Sequence, residues 1–192
     1  MEYIKVFTDD YEYKGIMDRE KAHASGEWHE VFHCWLLSYC EGDIYVYVQW
    51  RSPSKKDYPG LYDITAAGHL EAEESVSDGV REVKEEIGLD IPYENLEKIA
   101  VLDTWIGIDR EFAHEHVYVC SHSLSQFSLQ KEEVKEMDRI RWEDFKALFQ
   151  GHKGEVNSAR GRVLKENDFV PHGNAYYPRL IHAVEKFLET EG

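Results

Sequence analysis

The chain has 192 residues, with 38 acidic side chains against 22 basic ones and a formal net charge of -16. That charge excludes general nucleic-acid binding, which needs a basic footprint, and docking on anionic membranes, while a hydrophobic fraction of 42% excludes a disordered chain. The length suits one domain over residues 1–192 with a real core, and its oligomeric state is left open, a homodimer included.

Tyr3 to Phe7 reads as a first strand, followed by a turn rich in Asp with Gly15. Arg19 to Glu30 is polar and rich in His, and Gly26 is expected to break any helix there, so residues 1–30 read as an N-terminal extension. Val31 to Cys40 and Ile44 to Trp50 read as two strands joined by Glu41-Gly42-Asp43, a hairpin signal. Arg51 to Tyr62 is a loop with Pro53, Pro59 and Gly60. Leu96 to Ile108 and Glu115 to Ser121 read as strands, Gln130 to Glu136 as acidic loop, and Ile140 to Trp142 as a short strand before a helix over Glu143 to Phe149. Gly151 to Gly161 is expected as exposed loop, and 175–189 closes the chain as an amphipathic helix. Cys34, Cys40 and Cys120 are odd in number without CxxC spacing, which fits free thiols. With no secretory-type start and no apolar run of membrane-spanning length, cytoplasm is the expected location.

The stretch that carries chemistry is Gly68 to Leu89, GHLEAEESVSDGVREVKEEIGL. Ser75 can cap a helix with Asp78 as its capping-box partner, and Gly88 can end it in the left-handed conformation. Val76, Val80, Val83 and Ile87 form one apolar stripe. Glu82, Glu85 and Glu86 lie outside that stripe at i, i+3 and i+4 spacing, so their charges repel unless a divalent cation sits among them. Hard oxygen donors on a rigid element suit Mg2+, with Mn2+ as the alternative ion. The bland alternative is a solvated acidic face, common in a chain this acidic.

The pattern resembles the Nudix box, G-x5-E-x7-R-E-U-x-E-E-x-G-U with U aliphatic. Arg81 through Leu89 matches its second half without a gap. The first half is one residue short: only six residues separate Glu74 from Arg81, so Glu73 and Glu74 compete for the first glutamate position. The resemblance implies a Nudix-type α/β/α sandwich with a mixed β-sheet. It implies a metal-dependent hydrolase of a diphosphate bond in a small molecule, with Glu82, Glu85 and Glu86 on the metal and Arg81 pairing with Glu73 or Glu74. Glu133, with Glu132 equally placed, stands where several such enzymes carry a general base. Arg51 and Lys55, with Lys56 beside it, are candidate phosphate-binding cations, and Gly68 just after them is a candidate substrate-binding position.

A finer resemblance, to the Nudix proteins related to type I isopentenyl-diphosphate isomerase, rests on Arg51-x3-Lys55, Pro59-Gly60, Ala67-Gly68-His69, Ala22-His23, Trp28-His29 and His114-Glu115. It implies a second metal held by His23, His29, His69 and Glu115. Two positions depart from it: Ala67 replaces the isomerase's Cys and Ala113 its first Glu, which removes a catalytic acid/base and a ligand. Isomerisation therefore ranks below hydrolysis, and a non-catalytic binding module is disfavoured because all three box glutamates are present.

Overall fold

The computed structural model describes residues 1–191. Strands β1 (Tyr3–Phe7) and β2 (Tyr13–Asp18) form an antiparallel pair. They lead into α1 (Arg19–Ser25), whose first turn is capped by Asp18 Oδ1 accepting the Lys21 N–H at 3.2 Å. Gly26, at φ 66°, ends this helix rather than preventing it, which corrects the reading of Arg19–Glu30 as broken. Asp at the N-cap and Gly at the left-handed C-cap are enough to close a seven-residue helix.

β3 (Trp28–Cys40) is the axis of the sheet, starting three residues earlier than the sequence pattern indicates. It turns into β4 (Asp43–Arg51) through Glu41 and Gly42, both at positive φ (53° and 88°), the geometry that matches strand twist in a two-residue hairpin loop. β5 (Tyr62–Asp63) and β6 (Ala66–His69) follow the loop, and β6 pairs with β3 from Val31 to Cys34. The chain then makes a single 3-10 turn (Val76–Val80) and enters α2 (Arg81–Ile87). β7 (Glu97–Ile106) and β8 (Asp109–Val119) form a hairpin, with β8 parallel to β3 from Trp28 to Leu37. β9 (Val134–Arg141) pairs with β4, so part of the expected acidic loop is strand. α3 (Trp142–Phe149), the short pair β10 (Val156–Asn157) and β11 (Val163–Leu164), and α4 (Tyr176–Glu191) complete the chain; β10 and β11 fall in and just after the segment expected as loop.

The result is a nine-stranded mixed sheet between helices. Strand alternation sends successive side chains of β3 to opposite faces. Phe32, Cys34 and Leu36 pack with Val83 and Ile87 of α2. Trp35 and Leu37 pack with Phe145 of α3 and Tyr176, Leu180 and Val184 of α4. Among the described residues no helix is long and apolar enough to cross a membrane.

Candidate active site

The local sequence of the box fixes where its carboxylates go. The Ser75 N–H donates to Asp78 Oδ2 at 2.8 Å, which starts the turn. The Gly88 N–H donates to the Lys84 carbonyl at 3.0 Å and Gly88 adopts φ 73°, which ends the helix. Gly79 lies so close to β3 that a Cβ there would sit 2.6 Å from the Phe32 Cβ. With Val83 and Ile87 buried, Glu82 and Glu86 are driven against β6. The Glu82 carboxylate lies over Gly68, where a Cβ would meet its carboxyl carbon at 2.0 Å. The box glycine is thus the space its glutamate occupies.

Glu86 is only 7% exposed, and its Oε2 accepts from Gln49 Nε2 at 3.0 Å and from the Ala67 N–H at 3.1 Å. Burial pushes its carboxyl up to about 8, outweighing those two donors. Burial also pushes Glu82 up to about 7, although Arg81 beside it works in the opposite direction. Glu85 is more than half exposed. Arg81 decides the register of the shortened loop: its Nε and Nη2 grip Glu74 at 2.5 and 2.9 Å, while Glu73 is exposed. The same guanidinium contacts Glu82, reaches Glu85 at 3.3 Å, and donates from Nη2 to the His69 carbonyl at 3.1 Å.

Lys55 and Glu133 form an ion pair, and Lys55 lies near enough to Glu86 to favour its ionised form. Glu132 is exposed. Arg51 is structurally committed. Its Nη1 meets Asp63 at 2.9 Å, and its Nε and Nη2 donate to the Tyr58 and Asp57 carbonyls. His172 holds the other Asp63 oxygen at 3.0 Å. Against the cost of burial, these partners keep the Asp63 carboxyl down at about 2.

Gly68 and His69 are neighbours on β6, so they face opposite sides of the sheet. On the face away from α2, His23, His29 and His69 converge with Asp109, their ligand atoms all within 4.8 Å of one another. His23 Nε2 and His69 Nε2 are 3.0 Å apart, and His29 Nε2 is 3.6 Å from Asp109 Oδ1. The latter two atoms are buried without a hydrogen-bond partner. Burial lowers the pKa of His29 and of His69, leaving neutral imidazoles competent to bind a metal. Three imidazoles and one carboxylate are a zinc-type donor set.

Glu115 stands apart from this cluster. It accepts from His33 at 2.9 Å and from Trp35 Nε1 at 3.1 Å, and Asp109 supplies the carboxylate in its place. His114 and His116 point to the opposite face, bonded to Glu30 at 2.9 Å and Tyr93 at 3.1 Å. Sequence reasoning passed over Asp109, the first residue of β8, and Glu111. The latter is 8% exposed, and burial pushes it up to about 7 beside Asp109 and His33. The available signal was strand alternation, which places Glu111, Ala113 and Glu115 on one face of β8.

A mixed sheet between helices, with an acidic box helix laid on one face, defines an α/β sandwich with a candidate cation site. The NUDIX domain family matches residues 28–166, and the chain belongs to it. It is 32% identical to a Clostridium acetobutylicum protein named an uncharacterized Nudix hydrolase, over 95% of this chain and 97% of that one. Nudix hydrolase 3 of Arabidopsis thaliana is 31% identical over 76% of this chain, which spans a fifth of that protein's length. Among solved structures, a Deinococcus radiodurans protein aligns with a TM-score of 0.62 at 16% identity, covering 79% of this chain and 91% of that one. The NUDIX domain of Shewanella oneidensis NrtR, complexed with ADP ribose, aligns with a TM-score of 0.56 at 14% identity, covering 90% and 99%. These likenesses show the fold. The chain is an enzyme of the Nudix hydrolase type, acting on diphosphate-type substrates.

Proposed function

We propose that this protein is a Mg2+-dependent hydrolase that cleaves the diphosphate linkage of a small organic or nucleoside diphosphate derivative. The observation that carries the reading is the placement of Glu82 and Glu86 against β6, Glu86 buried and Glu82 partly buried, with carboxyls pushed up to about 7 for Glu82 and about 8 for Glu86. Two neighbouring carboxylates, one buried and one partly buried, with one guanidinium reaching only one of them, fit a divalent cation. Glu82, Glu85 and Glu86 would hold Mg2+ or Mn2+, which supplies Lewis acidity and an acidified water when bound.

The rest of the chemistry belongs to the chain. Arg81 fixes the loop through Glu74 and orients Glu82. Lys55 offers a positive charge to an outgoing phosphate, and Glu133, paired with it, is placed to accept a proton. Arg51 contributes by holding the Asp57–Tyr58 loop rather than as a free clamp. A second ion fits His23, His29, His69 and Asp109. The isomerase reading loses ground where Ala67 and Ala113 supply no acid, base or ligand on that face. The unpaired cysteines agree with work in a reducing cytoplasm.

The test is turnover with Mg2+ on nucleoside diphosphate derivatives, dinucleotides, prenyl diphosphates and thiamine diphosphate. Release of phosphate or nucleotide is expected. Migration of a double bond in isopentenyl diphosphate without phosphate release would overturn the reading, as would binding without turnover.

A further inference from the structure

At the far end of β3, on the same face as α2, a cavity of about 500 Å³ opens between β3, β9 and the segment after β8. Ser38 lies six residues along β3 from Phe32, the partner of Gly68, so this cavity is about 20 Å from the box. Three polar atoms of its lining, Ser38 Oγ, His122 Nδ1 and Arg139 Nε, are buried without a well-directed hydrogen bond, although the Tyr47 hydroxyl stands beside Ser38 and Arg139. Ser38 is 3% exposed. Orphaned polar groups at that depth are costly unless a ligand completes them.

Their chemistry points one way. The cavity is lined by serines, a histidine and two arginines, with no carboxylate among the lining residues. Arg160 is occupied, donating to the Met137 carbonyl and pairing with Glu136 at 3.3 Å. Arg139 instead stacks over the Tyr45 ring at 4.8 Å, which holds its guanidinium in place.

We propose that this cavity is an anion site that takes a phosphate or phosphomonoester group, remote from the diphosphate-cleaving centre. Arg139 Nε and the Ser38 hydroxyl donate to the anion, and His122 joins them through Nδ1. The geometry also gives the site a route to the box. The segment that leaves the cavity at Ser123 packs Phe127 on Tyr47. Its Ser128 N–H then donates to the Ile87 carbonyl at 3.1 Å, and its Gln130 N–H to the Glu86 carbonyl at 3.0 Å. It ends at Glu133, the partner of Lys55.

The experiment is a titration of the full chain, in EDTA so that the box carries no cation, with inorganic phosphate and separately with a phosphomonoester such as glycerol 3-phosphate. The readout is NMR of the His122 and Arg139 side-chain signals. Saturable shifts at both signals are expected in the wild type; read at His122 alone, the affinity should fall about tenfold or more in Arg139→Gln and be restored in part in Arg139→Lys. Saturation by phosphate alone assigns the free ion, and tighter saturation by the ester assigns an organic phosphate; both support the site. Ser38→Ala guards against a folding artefact. It removes a buried, unpartnered hydroxyl, so it should keep or raise Tm while weakening the anion several-fold. Absence of saturable shifts up to tens of millimolar, or equal affinity in wild type and both Arg139→Gln and Ser38→Ala, would overturn the proposal. Neither outcome depends on turnover, so this failure is separate from failure of the hydrolase reading.

Discussion

At the scale of single residues, Glu86 carries the sharpest consequence. Its carboxyl titrates at about 8 because burial disfavours the charged form, and Glu82 follows at about 7. A carboxyl whose pKa is raised in the fold stabilises the protein fully below its unfolded pKa, and that contribution is lost as pH rises through the folded value. In EDTA, Tm should therefore fall between about pH 5 and pH 8.5. Glu86→Gln, which keeps the Gln49 and Ala67 partners supplied with an amide oxygen, should flatten that fall by on the order of 10 °C. The same substitution should lower Mg2+-dependent turnover by at least about 100-fold. Scanning calorimetry across pH and a phosphate-release assay check the two halves, and an unchanged slope would mean that Glu86 is not held neutral. Much of this site was legible, because the spacing of Glu82, Glu85 and Glu86 is itself the chemistry. The choice of Glu74 over Glu73 was not legible. It depends on which carboxylate the shortened loop turns towards Arg81, a tertiary fact. Asp109 left no trace either: it reaches the histidines only because the β7–β8 hairpin pairs Ile106 with Asp109.

At the scale of elements, two box-region glycines do different jobs, and alanine should separate them. At Gly68 the obstacle to a Cβ is the tip of the Glu82 side chain, which can swing away. Gly68→Ala should therefore fold with little loss of stability but turn over slowly, since the displaced group is a metal-binding carboxylate. At Gly79 the obstacle is Phe32 at 2.6 Å and Leu70 at 2.8 Å, both in the packed core. Gly79→Ala must push the 3-10 turn that precedes α2 off the sheet, at a cost of about 1–3 kcal/mol. Urea unfolding paired with turnover distinguishes them, and equal destabilisation by both would contradict the contacts described. The helix α1 makes a related point about reading elements. Gly26 signals an end equally well whether a helix stops at it or never forms, and the deciding contact, the Asp18 cap, lies eight residues upstream.

At the scale of the whole molecule, β6 is a partition with a cation site proposed on each side. Gly68 makes room for the box carboxylates and His69 enters the histidine cluster, while Arg81 holds the His69 carbonyl and so ties the two faces together. The donors differ: oxygen alone on one side, three imidazoles and a carboxylate on the other. An ion such as Mg2+, which keeps much of its water, should exchange from the box during dialysis, whereas a zinc-type site should retain its metal. Protein loaded with Zn2+ and dialysed should hold about one equivalent by elemental analysis. Glu86→Gln should hold the same amount, because Glu86 lies on the other face. His29→Ala and Asp109→Asn should each lose most of it, and Glu115→Gln should keep it, since Glu115 is spent on His33 and Trp35. If Glu115→Gln loses the metal and Asp109→Asn retains it, the cluster seen here is not the ligand set and the resemblance to the isomerase-type site is the better guide.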